Sequence, residues 1–192
     1  MADLMTPLWN DMGLIPPIDE AEPTSSVRSP YEMDIIRFVT MFAITPVRKR
    51  ILLGFLEFRQ TLYLSGICYG FQWLNGSFSE NIELIEHRPP NDIDVVTFFN
   101  LPDGVTEDIV FNRNPKIFDH EYVKSTHFVD SYFQSLQMPG AQLVSSTVYW
   151  YSMWAHKRDW SWKGFLQVPL SPGLDGAAFT ILNNAIVDGG EQ

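Results

Sequence analysis

The chain has little of what would place it outside the cell or in a membrane. It holds one cysteine, Cys68, so no internal disulfide can form. The apolar neighbours Ile67 and Tyr69 favour a buried thiol. No apolar run approaches the roughly 20 residues that span a bilayer, and the start, MADLMTPLWNDMGLIPP, lacks the basic and apolar regions of a signal peptide. We therefore expect a soluble, cytoplasmic protein with no membrane partner.

Positive charge is also scarce. The chain carries 13 Lys and Arg against 23 Asp and Glu, a formal net charge of -10. Such a surface repels nucleic-acid phosphates at long range, which argues against nonspecific binding to nucleic acid but not against a local basic pocket. With 192 residues, 45% of them hydrophobic, the chain is long enough to bury a sizeable core.

The composition divides the chain into an arm and one domain. Residues 1–28 are rich in proline and acid and show no period, so we expect an extended arm, with Leu14 and Ile15 held against the body. Residues 29–192 form the predicted single domain.

The spacing of apolar residues predicts both helices and strands in this domain. Ser29-Pro30-Tyr31-Glu32 is a capping box for a helix to about Ala43, and Thr45-Pro46 starts a second helix that stops near Gly66. The remaining predicted elements are strands at 67–74, 91–99, 127–136 and 163–168, and helical segments at 105–124, 141–156 and 177–187. This order predicts an α/β (α+β) domain with a mixed sheet of about four strands flanked by helices.

Two acids stand at strand spacing in the stretch NDIDVV. Asp92 and Asp94 would share one face, about 6.6 Å apart along the strand. Both could then reach one divalent cation, or two cations roughly 4 Å apart. Without a cation they would repel each other, and one would take up a proton. The alternative is an edge strand whose wet side carries both acids.

Two further features extend this pattern. Asp130 is a single acid inside the apolar strand FVDSY; alone it could be a buried acid satisfied by backbone donors. Gly76 and Ser77 follow the preceding strand; with Asn75 they could form only a tight turn. A glycine there also lets a phosphate approach the backbone, and a serine hydroxyl with free amides can bind it. In this order, the features predict one site.

Basic residues gather at the end of the predicted helix 141–156. His156, Lys157 and Arg158, followed by Lys163, are typical of a solvated helix end that complements the helix dipole. In this acidic protein, a binding site for a triphosphate is the second interpretation. Lys124, before the strand of Asp130, could face the same pocket or solvent.

These motifs resemble the signature of the DNA polymerase beta-type nucleotidyltransferase superfamily: a hydrophobic residue before Gly-Ser, then Asp-hydrophobic-Asp-hydrophobic, then an Asp on a later strand. More narrowly, the chain is similar to a family of bacterial proteins of this length, grouped with the nucleotidyltransferase fold as a domain of unknown function. The likeness covers most of the chain and rests on RSPY (28–31), GFQWLNGSFSEN (70–81), NDIDVV (91–96), KSTHFVDSYF (124–133) and YWYSMWAHKRDWSWKGFLQV (149–168).

The resemblance implies the minimal nucleotidyltransferase fold and a two-metal reaction. A nucleoside monophosphate would pass from an NTP such as ATP to a hydroxyl of an unidentified acceptor, whether RNA, protein or small molecule. Asp92 and Asp94 would hold Mg²⁺ or Mn²⁺, and Asp130 would bind the second metal and help to deprotonate the acceptor. The residues expected to contact the triphosphate are Gly76, Ser77, Lys157, Arg158 and Lys163.

Two other functions stay open. One is a non-catalytic nucleotidyltransferase-like module that works by binding in a toxin-antitoxin or defence pair. The other is a metal-dependent phosphohydrolase, since three acids can also activate water. The retained acids favour catalysis over binding alone, and the lack of a His-Asp pair with a clear metal role disfavours the hydrolase.

Overall fold

The structure, a computed structural model, describes residues 9–19 and 21–187, with backbone only after residue 184. Residues 1–8 of the predicted arm and 188–192 of the predicted domain lie outside the described residues. Within these ranges there are five strands and seven α-helices. The strands are β1 (Tyr31–Glu32), β2 (Tyr69–Asn75), β3 (Ile93–Asn100), β4 (Val129–Ser135) and β5 (Leu166–Pro169). The helices are α1 (Ile35–Phe42), α2 (Pro46–Ser65), α3 (Ile82–Ile85), α4 (Glu107–Arg113), α5 (His120–His127), α6 (Gly140–Trp154) and α7 (Pro172–Val187).

The strands form one mixed sheet in the order β1-β5-β2-β3-β4. Strand β2 runs antiparallel to both β5 and β3, whereas β3 pairs with β4, and β1 with β5, in parallel. The predicted α/β class with a mixed sheet is therefore confirmed. The sheet has five strands where the sequence predicted about four.

The additional strand replaces the start of a predicted helix. Residues Tyr31–Glu32 pair with β5, and the Ser29 hydroxyl accepts a hydrogen bond from the Phe165 amide at 2.8 Å. Helix α1 begins only at Ile35, where the Asp34 side chain caps it. The capping-box prediction at Ser29 was wrong because pairing with a distant strand satisfies this backbone instead.

Helices α1, α2, α5 and α7 cover one face of the sheet. Helix α2 has the predicted bounds, because Thr45 caps its start and Gly66, in the left-handed region at φ 108°, ends it. Its residues Ile51 and Phe55 are fully buried against the sheet. Burying such a side chain stabilises the fold by about 1.5–3 kcal/mol, so this layer is the main core.

Helix α6 covers the opposite face through a second, aromatic cluster. Trp150 and Trp154 of this helix pack with Trp73, Val96 and Phe98 of the sheet. The Trp73 and Phe98 ring centroids lie 4.6 Å apart. Because side chains alternate along a strand, even-numbered residues of β3 face α6.

The described part of the arm packs against the body. Leu14 and Ile15 are buried, as predicted, and the Ile15 carbonyl accepts a hydrogen bond from the Gly164 amide at 2.6 Å. The Trp9 indole donates to the Ser79 carbonyl at 2.7 Å. The arm thus braces the segment that follows Gly76. No helix in the described ranges combines the length and apolar character needed to cross a bilayer.

Candidate active site

Three polar side chains stand in one row across the sheet. Asn75 of β2 is the register partner of Asp94 of β3, and Asp94 is the partner of Asp130 of β4. Register partners project from the same face, and this is the face that α6 covers, because Asn75 donates to the carbonyl of Trp154 at 3.1 Å. Asp92 immediately precedes β3. Asp92, two residues before Asp94, adds a third acid to Asp94 and Asp130. We call these three acids, Asp92, Asp94 and Asp130, the acidic row.

Gly76 brings the backbone against this row. It follows β2 at φ 78° and ψ -166°, a conformation open almost only to glycine. A Cβ atom at this position would lie 2.7 Å from Asp94 Oδ2, so any side chain would collide with the carboxylate. Ser77, half-buried, then opens a short 3-10 helix at Ser77–Ser79. The structure therefore brings the Gly-Ser turn and the acidic row together.

A buried arginine fixes the segment after this turn. Arg48 of α2 is fully buried and donates to the carbonyls of Phe78 at 2.7 Å and Glu80 at 2.6 Å. It also forms an ion pair with Glu83 at 2.7 Å. Arg48 was not among the residues predicted for the site. Its signal is its place three residues before Ile51, which puts a charge on the apolar face of the helix.

The acidic row carries more negative charge than its surroundings neutralise. Burial raises the pKa of Asp94 to about 6, and the charges of Asp130 and Asp92 add to this effect. Lys163 and Lys124 act in the opposite direction, but more weakly. Proximity of like charges is the cause expected for carboxylates that share one site.

Lys124 of α5 lies between two members of the row. Its ammonium is 2.7 Å from Asp130 Oδ2 and 3.0 Å from Asp92 Oδ2. The hydrogen bond to Asp130, against the opposing effect of burial, raises the pKa of Lys124, so the group is fully charged at neutral pH. The sequence left open whether Lys124 faces the site, and the structure places it there.

The second carboxylate oxygen of Asp130, Oδ1, has weaker contacts than Oδ2, which contacts Lys124. His120, one turn before Lys124, approaches Oδ1 only to 3.5 Å, too far for a good hydrogen bond. Oδ1 is buried and has no hydrogen-bond partner among the described residues. Burial, with the negative charge of Asp130, raises the pKa of Tyr132 to about 12. An unsatisfied carboxylate oxygen of this kind suits a cation or a proton.

The three predicted basic residues have different surroundings. Lys163 is buried, and its ammonium donates to Glu80 Oε1 at 2.6 Å and to the Gly76 carbonyl at 3.2 Å. Lys157 lies 3.8 Å from the other oxygen of Glu80. Arg158 is exposed. The structure therefore brings Lys163 directly, and Lys157 through Glu80, to the Gly-Ser turn. Glu80 was not among the residues predicted for the site.

The donor set of the row fits a hard divalent cation, although the side chains are not arranged around one. Carboxylate oxygens are the ligands that Mg²⁺ prefers, and Asp130 Oδ1 has no other partner. Among the described residues, however, no three His, Cys, Asp or Glu side chains are grouped closely enough to hold a metal ion. The ammonium of Lys124 stands between Asp92 and Asp130 instead.

A cavity of about 500 Å³ lies elsewhere, toward the other end of β3 and β4. Its walls include Phe99, Phe118 and Phe133, and no member of the acidic row lines it. It is therefore separate from the candidate site.

Comparison with known proteins places the chain in a family. A family model described as a family of unknown function (DUF6932) matches residues 7–169, which include the whole sheet and every candidate site residue. Neither a search of curated proteins nor one of solved structures gives a match. The resemblance to the nucleotidyltransferases stays a prediction. Because the matched region spans most of the chain, the protein belongs to the family of unknown function DUF6932.

Proposed function

We propose that this protein is a nucleotidyltransferase that depends on Mg²⁺ or Mn²⁺, and that its domain is the minimal fold of that superfamily extended by β1. One observation supports this most. Gly76, Asp94 and Asp130 come from three separate motifs, yet Asp94 is paired in register with Asp130 and packs against the backbone of Gly76. A turn that serves only to connect two strands does not require this contact.

In the proposed reaction, the oxygen of an acceptor hydroxyl forms a bond to the α-phosphorus of an NTP. The bond between the α- and β-phosphates breaks, and pyrophosphate leaves. Asp92, Asp94 and Asp130 would hold the divalent cations, which supply charge neutralisation for the phosphates. The hydroxyl proton passes to Asp130, whose Oδ1 accepts no hydrogen bond from the described residues.

The chain's own residues would also position the triphosphate. The glycine at position 76 lets the Asp94 carboxylate lie directly against the turn, so a phosphate bound by the backbone amides of this turn would lie beside the acidic row. Lys163 lies behind the turn, where its ammonium contacts the Gly76 carbonyl and reduces the negative potential at Asp94. Because it is buried and paired with Glu80, we assign it to the support of the turn rather than to direct phosphate contact.

Two labels on the nucleotide test this function. The protein is incubated with Mn²⁺ and each NTP, labelled at either the α- or the γ-phosphate, with RNA, protein and small-molecule fractions as acceptors. Nucleotidyl transfer puts the α-label on an acceptor and the γ-label in pyrophosphate. A phosphohydrolase would instead release the γ-label as orthophosphate, and that result would replace the proposal.

Matched variants assign the activity to the row. Asp94→Asn and Asp130→Asn should each lower transfer by about a hundredfold or more, as expected for groups that act on the reacting centre. Asp103→Asn, an exposed acid in a turn, is the control and should retain full transfer. Equal activity in all three variants would remove the acidic row from the mechanism.

A second candidate function has its own observation. The Lys124 ammonium already contacts Asp92 and Asp130, an arrangement that would suit a domain without a metal. In that case the protein would be a non-catalytic nucleotidyltransferase-like module that acts by binding a partner.

A further inference from the structure

The ammonium of Lys124 lies within the acidic row at the place where a divalent metal cation would bind. This ammonium bridges Asp92, which immediately precedes β3, and Asp130 of β4, with contacts of 3.0 Å and 2.7 Å. The carboxylate pair thus shares one positive charge. Two carboxylates that hold a divalent cation between them would share two.

The bridge is built so that it can open. Lys124 belongs to α5 rather than to the sheet, and 40% of its side chain is exposed. Its flexible stem lets the ammonium move to water without displacing the helix. The two carboxylates are less exposed, at 21% and 16%, and the sheet holds their backbone, since Asp130 lies in β4 and Asp92 immediately precedes β3. The mobile member of the bridge is therefore the lysine.

One ammonium does not satisfy the row. Asp130 Oδ1 is buried without a hydrogen-bond partner among the described residues, and Asp94, paired with Asp130 across the strands, makes no ion pair there. A divalent cation would relieve this surplus, whereas the monovalent ammonium only reduces it. The row can therefore exchange one cation for the other.

We propose that Lys124 is an internal competitor for the divalent cation, which enters the acidic row only as the ammonium leaves. Lys124 thereby sets the metal concentration at which the site loads. This inference rests on the proposed metal-dependent function.

A titration with Mn²⁺ tests the competition without any assay of activity. Binding is measured as the decrease of the electron paramagnetic resonance signal of free Mn²⁺. Lys124→Met removes the ammonium but retains an unbranched stem, and should lower the Kd for Mn²⁺ by about tenfold or more, as expected when a competing charge is removed. Lys124→Arg retains a positive charge and should stay within about threefold of the wild type. Lys116→Met is the matched control, because Lys116 contacts the Tyr122 ring rather than a carboxylate.

Thermal unfolding gives a second measurement on the same variants. Lys124→Met should melt at a lower temperature than the wild type without metal, because the carboxylates lose their counter-charge. Mn²⁺ should then raise its melting temperature more than that of the wild type. If Lys124→Met fails to fold without metal, purification in Mn²⁺ followed by chelation measures the same difference.

The outcomes separate this inference from the proposed function. If the wild type binds Mn²⁺ and Lys124→Met binds it no more tightly, the competition is wrong and the metal-dependent function stands. If only Lys124→Met binds Mn²⁺, the competition holds so strongly that the ammonium replaces the metal, and the catalytic proposal fails. If neither protein binds Mn²⁺, both proposals fail.

Discussion

Two of the buried groups of charges differ in how well their members are paired. Arg59 of α2 donates to both carboxylate oxygens of Asp175, at 2.6 Å and 2.9 Å, and to Gln72 and the Pro169 carbonyl. Tyr63 also donates to Asp175, at 2.9 Å. This Arg59 network has one positive and one negative charge, and it ties α2 and α7 to the sheet.

The acidic row lacks this balance. Two of its three carboxylates, Asp92 and Asp130, share the Lys124 ammonium, while the nearby Lys163 is already paired with Glu80. The Arg59 network gives each of its buried polar groups a hydrogen-bond partner, which is the usual state of polar groups inside a fold. A surplus of buried negative charge opposes folding, so its presence in the acidic row indicates a role other than stability.

The largest effect is expected from breaking the satisfied network. Arg59→Met leaves Asp175 and Gln72 buried without their partner, and should lower the free energy of unfolding by about 3–5 kcal/mol. Urea unfolding measures the loss. Arg158→Met, at an exposed arginine, should change the same free energy by less than about 0.5 kcal/mol. A similar small change for both variants would show that the network does not hold the fold.

An intermediate effect is expected where the backbone meets the acidic row. Gly76→Ala forces a Cβ atom to 2.7 Å from Asp94 Oδ2 at a φ of 78°. We expect a loss of about 2–4 kcal/mol in unfolding free energy, from strain and collision together. Gly104→Ala is the matched control, since Gly104 has a φ of 80° with nothing within 4 Å, and should show the strain alone. Equal losses of unfolding free energy in the two variants would mean that the Asp94 carboxylate moves away from the new Cβ atom at no cost.

The smallest effect is expected from Asp94→Asn, which should raise the stability of the protein, whereas Arg59→Met and Gly76→Ala should lower it. Because the pKa of Asp94 is raised to about 6 in the folded protein, the native state binds more protons than the unfolded state, and stability falls as the pH rises through this value. Asp94→Asn removes the penalty and should stabilise the metal-free protein by about 1–2 kcal/mol at pH 8. The gain should shrink as the pH falls below about 6 and disappear at about pH 3, where the carboxyl is protonated in both states.

Asp175→Asn is the counterpart in the Arg59 network. It weakens hydrogen bonds to Arg59 and Tyr63 and should lower the unfolding free energy by about 1–3 kcal/mol. Thermal unfolding of both variants between about pH 3 and pH 8 measures the two signs. A loss of stability in Asp94→Asn at pH 8 would show that this acid is a satisfied structural group and would remove the case for a functional row.

Local signals were enough to predict several elements and part of the candidate site. Thr45 and Gly66 bound α2 as expected, because a cap acts on backbone groups within one turn. The period of two placed β3 and β4, and so put Asp94 and Asp130 on strands. The local signal that failed was the capping box at Ser29, because the Ser29 hydroxyl accepts a hydrogen bond from the Phe165 amide rather than from the start of a helix.

The sequence by itself determined which residues could form a site: a Gly-Ser turn, two acids at strand spacing and a third acid on a later strand. Only the tertiary structure decided what surrounds them. The parallel pairing of β3 with β4 sets Asp94 opposite Asp130, and the position of α5 brings Lys124 between Asp92 and Asp130. Arg48 and Lys163 likewise meet the turn from distant positions in the chain. Ion pairs act at a few ångströms, and those distances follow from strand order and helix packing, which local patterns do not specify.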